Sequence, residues 1–121
     1  MTILYIYSKC STCQKAVRFL QQKKIPFTTK EITKTPPSIE ELKRMLKFKE
    51  NHLKKIFNTS GLLYKEMQLS AKLDKMSLYE ALHLLSQHGM LVKRPFLVAE
   101  HFGLTGFNEK EWSQHFKSTN E

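Results

Sequence analysis

Two cysteines lie three positions apart in Cys10-Ser11-Thr12-Cys13, directly behind a β-branched and aromatic run, Thr2-Ile3-Leu4-Tyr5-Ile6-Tyr7. The run reads as a buried strand. Ser8-Lys9-Cys10-Ser11 is the loop and helix start that follows. Cys13, Val17 and Leu20, spaced i, i+4, i+7, mark one face of a helix reaching about Lys24. Cysteines this close cannot close a useful loop, so the pair contributes little as a staple. A disulfide scaffold would use more cysteines, set far apart. The pair therefore reads as reactive rather than architectural.

Pro26 ends the helix, and 27–32 reads as a second strand. Strand, helix, strand predicts a right-handed βαβ unit. Thr35-Pro36-Pro37 is a turn, after which Ser38 and Glu41 form a capping box for a helix that buries Leu42, Met45 and Leu46. Asn58-Thr59-Ser60-Gly61 breaks the helical stretch. Ser77 and Glu80 form a second box, starting a helix with Leu78, Ala81, Leu82 and Leu85 inward and Gly89 as its C-cap. Arg94-Pro95 precedes a third strand over 96–99, and a short fourth strand over 103–106 pairs with it as a hairpin. Asn108 and Glu111 make a third box, stapled by Phe107 and Trp112, on a last helix ending near Phe116. There are no repeats, linkers or low-complexity segments. The order predicts an α/β chain forming a single domain over 1–121. It is a thioredoxin-like fold, a four-stranded mixed sheet with a helical insert between strands two and three.

A chain of 121 residues can bury a core without staples. It has no apolar run of about 18 residues or more, so no membrane helix is expected. Met1 to Tyr5 carry neither a basic segment nor a small-residue cleavage site, so the expected location is cytoplasmic. The net charge of +9 comes from 17 lysines and only 3 arginines. Readers of DNA sequence lean on arginine, so direct sequence-specific DNA binding is not expected. The plainer reading is a solvated basic surface. Its densest part is Lys43, Arg44, Lys47, Lys49, Lys54 and Lys55, against one acid, Glu50. That stretch suits an acidic partner.

The chemistry sits at Cys10. A free thiol with a pKa of about 8.5 is mostly protonated at neutral pH, and the thiolate is the nucleophile. Unpaired N–H groups at a helix N-terminus favour the anion, and Lys9 is adjacent. Cys13, one turn inside, is placed to resolve a mixed disulfide on Cys10. The competing readings are inert thiols and a zinc site, which needs about four ligands where no second cysteine pair exists. His52, His83, His88, His101 and His115 lack ligand-like spacing. In a thioredoxin-like fold a cis-proline before the third strand faces the cysteines, a place that falls to Pro95; the alternative is a trans proline opening an edge strand. Arg94 then points at Cys10 to steady a thiolate or an anion, or else makes a surface ion pair. Ser11, Thr12, Asn58 and Pro95 are the candidate substrate contacts. For 58–61 the plain helix-connecting turn is the stronger reading.

At these elements the chain resembles the arsenate reductase (ArsC) family, which includes the Spx-type regulators. The resemblance rests on 6–13 (Ile-Tyr-Ser-Lys-Cys-Ser-Thr-Cys), 36–42 (Pro-Pro-Ser-Ile-Glu-Glu-Leu), 57–61 (Phe-Asn-Thr-Ser-Gly), 92–98 (Val-Lys-Arg-Pro-Phe-Leu-Val) and 106–109 (Gly-Phe-Asn-Glu). It implies two functions. Glutaredoxin-coupled arsenate reductases use one cysteine, here Cys10, and an arginine trio of which Arg94 alone matches. Asn58 stands where the second is expected, the region of Gly106 and Phe107 lacks the third, and Ser8 replaces a histidine. Spx-type regulators carry a Cys-x-x-Cys switch and an arginine before the proline, and bind the C-terminal domain of the RNA polymerase α subunit. A glycine of that contact falls at His52, where a side chain would crowd a close approach. The resulting expectation is a thiol-disulfide oxidoreductase in which Cys10 attacks, Cys13 resolves and Arg94 steadies charge. No bound cofactor is expected, with reductant from glutathione or from a glutaredoxin or thioredoxin system. The alternative is a redox-sensing regulator that touches the polymerase α subunit.

Overall fold

A computed structural model describes residues 2–116. The elements run β1 (Ile3–Ile6), α1 (Ser11–Gln22), β2 (Thr28–Glu31), α2 (Ile39–Phe48), α3 (Leu62–Glu66), α4 (Leu69–Lys72), α5 (Leu78–Gln87), β3 (Phe96–Val98), β4 (Gly103–Thr105) and α6 (Glu109–His115). Short 3-10 turns occupy Leu53–Lys55, Leu73–Lys75 and Gly89–Leu91. The strand order is β2-β1-β3-β4. β1 and β2 are parallel, with Ile3 opposite Thr28, while β1–β3 and β3–β4 are antiparallel, with Leu4 opposite Leu97 and Leu97 opposite Leu104. This is the mixed sheet of the thioredoxin-like fold, with α2 to α5 as the insert. The strands are slightly shorter than the sequence suggests.

Alternation along β1 divides the interior in two. Leu4 faces α1 and α6 with Leu20, Leu97, Leu104 and Trp112, and Tyr5 faces the insert with Leu42, Leu85 and Phe96. The Tyr5 hydroxyl donates to Glu41 Oε1 at 2.6 Å. Burial and that carboxylate hold the phenol well above its ordinary pKa, so it stays a donor. Glu41 also accepts from Ser38 N at 3.0 Å while Ser38 Oγ accepts from Glu41 N, closing the first capping box. The second, Ser77 with Glu80, is likewise complete. At α6 only half of the expected box forms. Asn108 Oδ1 accepts from Glu111 N at 2.9 Å, without a return bond. The staple does form, with the Phe107 and Trp112 rings 5.0 Å apart.

Three expectations change. α1 buries Ala16 and Phe19 beside Cys13 and Leu20, and Val17 only partly, because its stripe is wider than one i, i+4, i+7 row. Leu78, expected inward, is 51% exposed. It is the first residue of α5, just past the cap, and the buried row begins a turn later at Ala81. Gly89 is no left-handed cap. α5 ends on His88, and Gly89 is buried so close to β2 that a Cβ there would lie 1.9 Å from Ile32 O. The left-handed glycine is Gly106 at φ +70°, where N–H donates to Pro95 O at 2.9 Å and O accepts from Trp112 Nε1 at 3.1 Å.

The later part of the insert, 59–90, is tied together at its mouth. Asn58 N donates to Leu91 O at 2.7 Å, Lys93 N donates to Ile56 O at 3.0 Å, and Phe57 and Val92 form an antiparallel bridge. The tie ends one residue before Arg94. No helix among the described residues is long and apolar enough to cross a membrane.

Candidate active site

The local sequence makes Cys10 the N-cap of α1. Its backbone is extended (φ −98°, ψ 117°), its N–H donates to Tyr7 O at 2.9 Å, and its Sγ accepts from Cys13 N at 3.4 Å. The first turn carries no acidic side chain to compete for the helix dipole. Both thiols are free, Cys10 partly exposed and Cys13 completely buried.

The two thiols titrate in opposite directions. Burial pushes the Cys10 pKa up, but the Cys13 thiol and N–H and the Arg94 guanidinium outweigh it, so the net shift is downward. Cys13 is pushed up to about 12, first by burial, against a lowering contact from the Tyr7 backbone, and then by the negative charge on Cys10. The cation acting on Cys10 is Arg94 rather than the adjacent Lys9, which is exposed to solvent.

Arg94 is joined to the buried Pro95 by a cis peptide bond. Its guanidinium lies over the Tyr7 ring at 5.1 Å. Nη1 donates to Met90 O at 3.4 Å and sits 3.8 Å from Met90 Sδ. Nε is buried with no hydrogen-bond partner. Among the described residues no carboxylate pairs with Arg94, so the surface ion pair weighed from sequence does not form. Arg94→Ala should raise the Cys10 pKa and slow its alkylation at neutral pH, at a stability cost of about 1 kcal/mol or less. Arg94→Lys should recover part of the effect. An unchanged pKa in a strongly destabilised variant would make Arg94 structural.

Asn58, Leu62, Leu63, Glu66, Met90 and Arg94 line a cleft of about 260 Å³. The structure thus brings Asn58 and Arg94 together. Ser11 is exposed at the first turn of α1, and Thr12 beside it is half-buried. The sequence reading missed Tyr7, Met90 and Glu66. Tyr7 was legible as the residue closing the strand ahead of the cysteines. Met90 and Glu66 carry no motif, and only the folded insert brings them beside Arg94. The basic stretch 43–55 divides: Arg44 Nη2 donates to Ala99 O at 2.9 Å and Glu100 O at 2.8 Å, tying α2 to the β3–β4 hairpin. Burial also lowers the Lys49 pKa.

A thiol at a helix N-terminus beside a buried partner and a proline-linked arginine, on this sheet, defines a thioredoxin-like thiol site. The model of the ArsC family matches residues 5–115, and the chain belongs to that family. It is 40% identical to the uncharacterized protein YusI of Bacillus subtilis, over 93% of this chain and 95% of that one. It is 33% identical to the global transcriptional regulator Spx of Enterococcus faecalis, over 92% of this chain and 83% of that one. A crystal structure of an ArsC family related protein from Bacteroides fragilis superposes with a TM-score of 0.86 at 44% identity, covering 93% of this chain and 95% of that one. A "possible arsenate reductase" from Streptococcus mutans gives 0.85 at 37% identity, covering 93% and 98%.

Proposed function

We propose that this protein is a thiol-disulfide oxidoreductase in which the Cys10 thiolate attacks and Cys13 resolves. The observation that carries the reading is the placement of the two thiols: Cys10 caps α1 with its Sγ 3.4 Å from Cys13 N, and Cys13 lies wholly buried one turn inside. A Cys10 pKa shifted downward and a Cys13 pKa shifted upward agree with that placement. The order of events follows from it. Part of what holds Cys13 protonated is the charge on Cys10. Once Cys10 enters a mixed disulfide that charge is gone, so Cys13 ionises more readily when its attack is required. Arg94 steadies the thiolate, and Ser11, Thr12, Asn58 and Pro95 are the proposed substrate contacts. No bound cofactor is needed. Glutathione, or a glutaredoxin or thioredoxin system, returns the electrons in a cytoplasm that keeps thiols reduced.

The test is the rate of alkylation against pH on single Cys→Ser variants. The thiolate fraction rises with pH through the pKa, so a lowered pKa moves the rise to lower pH. Cys10 should titrate below a free thiol and Cys13 above it. A Cys10 that behaves as a free thiol sinks the proposal.

Arsenate should be a poor substrate. Arg94 is the one cation lining the cleft among the described residues, and Glu66 lines the same space. Each missing charged hydrogen bond costs about 1.5–3 kcal/mol, so two missing partners should cost about 100-fold or more. Efficient turnover in a glutaredoxin-coupled assay would overturn this expectation.

Likeness to the Spx regulators supports a second reading, a redox-sensing regulator that binds the C-terminal domain of the RNA polymerase α subunit. Against it stands His52, an exposed side chain where that contact wants a glycine. Pull-down against that domain, with reduced and oxidised protein, separates the two readings. Retention would favour the regulator.

A further inference from the structure

The cleft beside Arg94 carries two opposite charges that are not paired with each other. Arg94 Nη1 makes long contacts to Met90 O and Met90 Sδ, its Nε is unpartnered, and it has no carboxylate partner among the described residues. Glu66, on α3, is exposed and makes no ion pair among the described residues. The wall between them is apolar, formed by Leu62, which is 73% exposed, with Leu63 and Met90. The volume of about 260 Å³ is below that of a drug-sized pocket and suits one amino-acid unit.

A simple anion gains Arg94 but meets Glu66, and a simple cation meets the reverse. A neutral molecule leaves both charges without a partner. A zwitterion satisfies both while laying its methylene on the leucines and the methionine. Arg94 lies over the ring of Tyr7, whose carbonyl accepts from Cys10 N at 2.9 Å, so a ligand held by that guanidinium is brought beside Cys10.

We infer that the cleft binds the α-amino-acid end of a low-molecular-weight cysteinyl disulfide, with its carboxylate toward Arg94 and its ammonium toward Glu66. This rests on the reading of Cys10 as the attacking thiol. The Cys10 thiolate attacks the near sulfur of R–S–S–R, forming Cys10–S–S–R and expelling RS⁻, which takes a proton from solvent. Cys13 gives its proton to water and attacks the Cys10 sulfur. The Cys10–Cys13 disulfide forms, and the second RS⁻ leaves and is protonated. Two electrons pass from the dithiol to the substrate, and the thiol reductant named above restores them.

The test measures oxidation of the reduced protein by four disulfides: cystine, cystamine, dithiodipropionate and hydroxyethyl disulfide. Each rate is divided by that of a free model thiol with the same compound, which removes intrinsic reactivity. Cystine should lead cystamine and dithiodipropionate by about tenfold, the scale of one charged contact, and hydroxyethyl disulfide, which lacks both charges, by more. Glu66→Gln should bring the ratio of cystine to dithiodipropionate close to one. Equal normalised rates, or a cystine preference that survives Glu66→Gln, overturn the inference and leave the thiol reading standing. Failure to react with any of the four overturns both.

Discussion

Cys10→Ser is expected to lower disulfide reduction by about a thousandfold or more, because a hydroxyl cannot replace the thiolate and the other site groups act through it. Cys13→Ser should have a different signature. The first attack survives, resolution fails, and a mixed disulfide accumulates on Cys10. Mass spectrometry after exposure to a small disulfide reads both cases. Cys13→Ser gains the mass of one thiol, Cys10→Ser gains nothing, and the native protein loses two hydrogens as its own disulfide closes. In Cys13→Ser the rate of adduct formation should rise with pH through the lowered Cys10 pKa and then level off. An adduct on Cys13 in the Cys10→Ser variant would reverse the assigned roles. The buried position of Cys13 and its pKa near 12 argue against that reversal.

Gly89→Ala should be the most damaging small substitution in the fold. The added methyl carbon would lie 1.9 Å from Ile32 O and 2.8 Å from Ile32 C. Both are backbone atoms next to β2, so neither can swing aside as a side chain would. The loop after α5 must move off the sheet, at about 3 kcal/mol or more. Urea unfolding should show a lower midpoint with an unchanged slope. Because the same loop leads to Arg94, the Cys10 pKa should rise as well. A midpoint within error of the native protein would mean that this approach is looser than the geometry indicates.

The cysteine motif placed the capping thiol from sequence alone, since a strand running into a helix fixes which thiol caps the helix. Capping chemistry was equally legible, because Ser38 with Glu41 and Ser77 with Glu80 are local reciprocal contacts. Arg94 and Pro95 were legible through the fold their surroundings imply. What escaped depends on tertiary contact. Gly89 looked like a helix stop because Gly after an apolar row often is one, and the approach of Ile32 from 57 residues upstream leaves no local mark. Leu78 looked buried because periodicity gives a face but not where contact with the core begins. Lys9, adjacent in sequence, looked like a second cation acting with Arg94 on Cys10, but its side chain lies exposed in solvent and, against burial, the lowering comes from Cys13 and Arg94. Glu66 sits in an insert whose short helices carry little periodic signal, so its place on the cleft was invisible.

The tie between 56–58 and 91–93 has a consequence for how this architecture tolerates change in length. Its two hydrogen bonds, flanking the Phe57–Val92 bridge, close the mouth of a long excursion just before Arg94. Closure entropy grows only slowly with the number of residues enclosed, about 0.6 kcal/mol per doubling. Residues added or removed inside the excursion, away from its buried contacts, therefore leave the guanidinium where it is. Length at the exposed turns around α4 is a freer variable than register at the mouth, while Leu69 and Leu73 hold the stretch between them to the core.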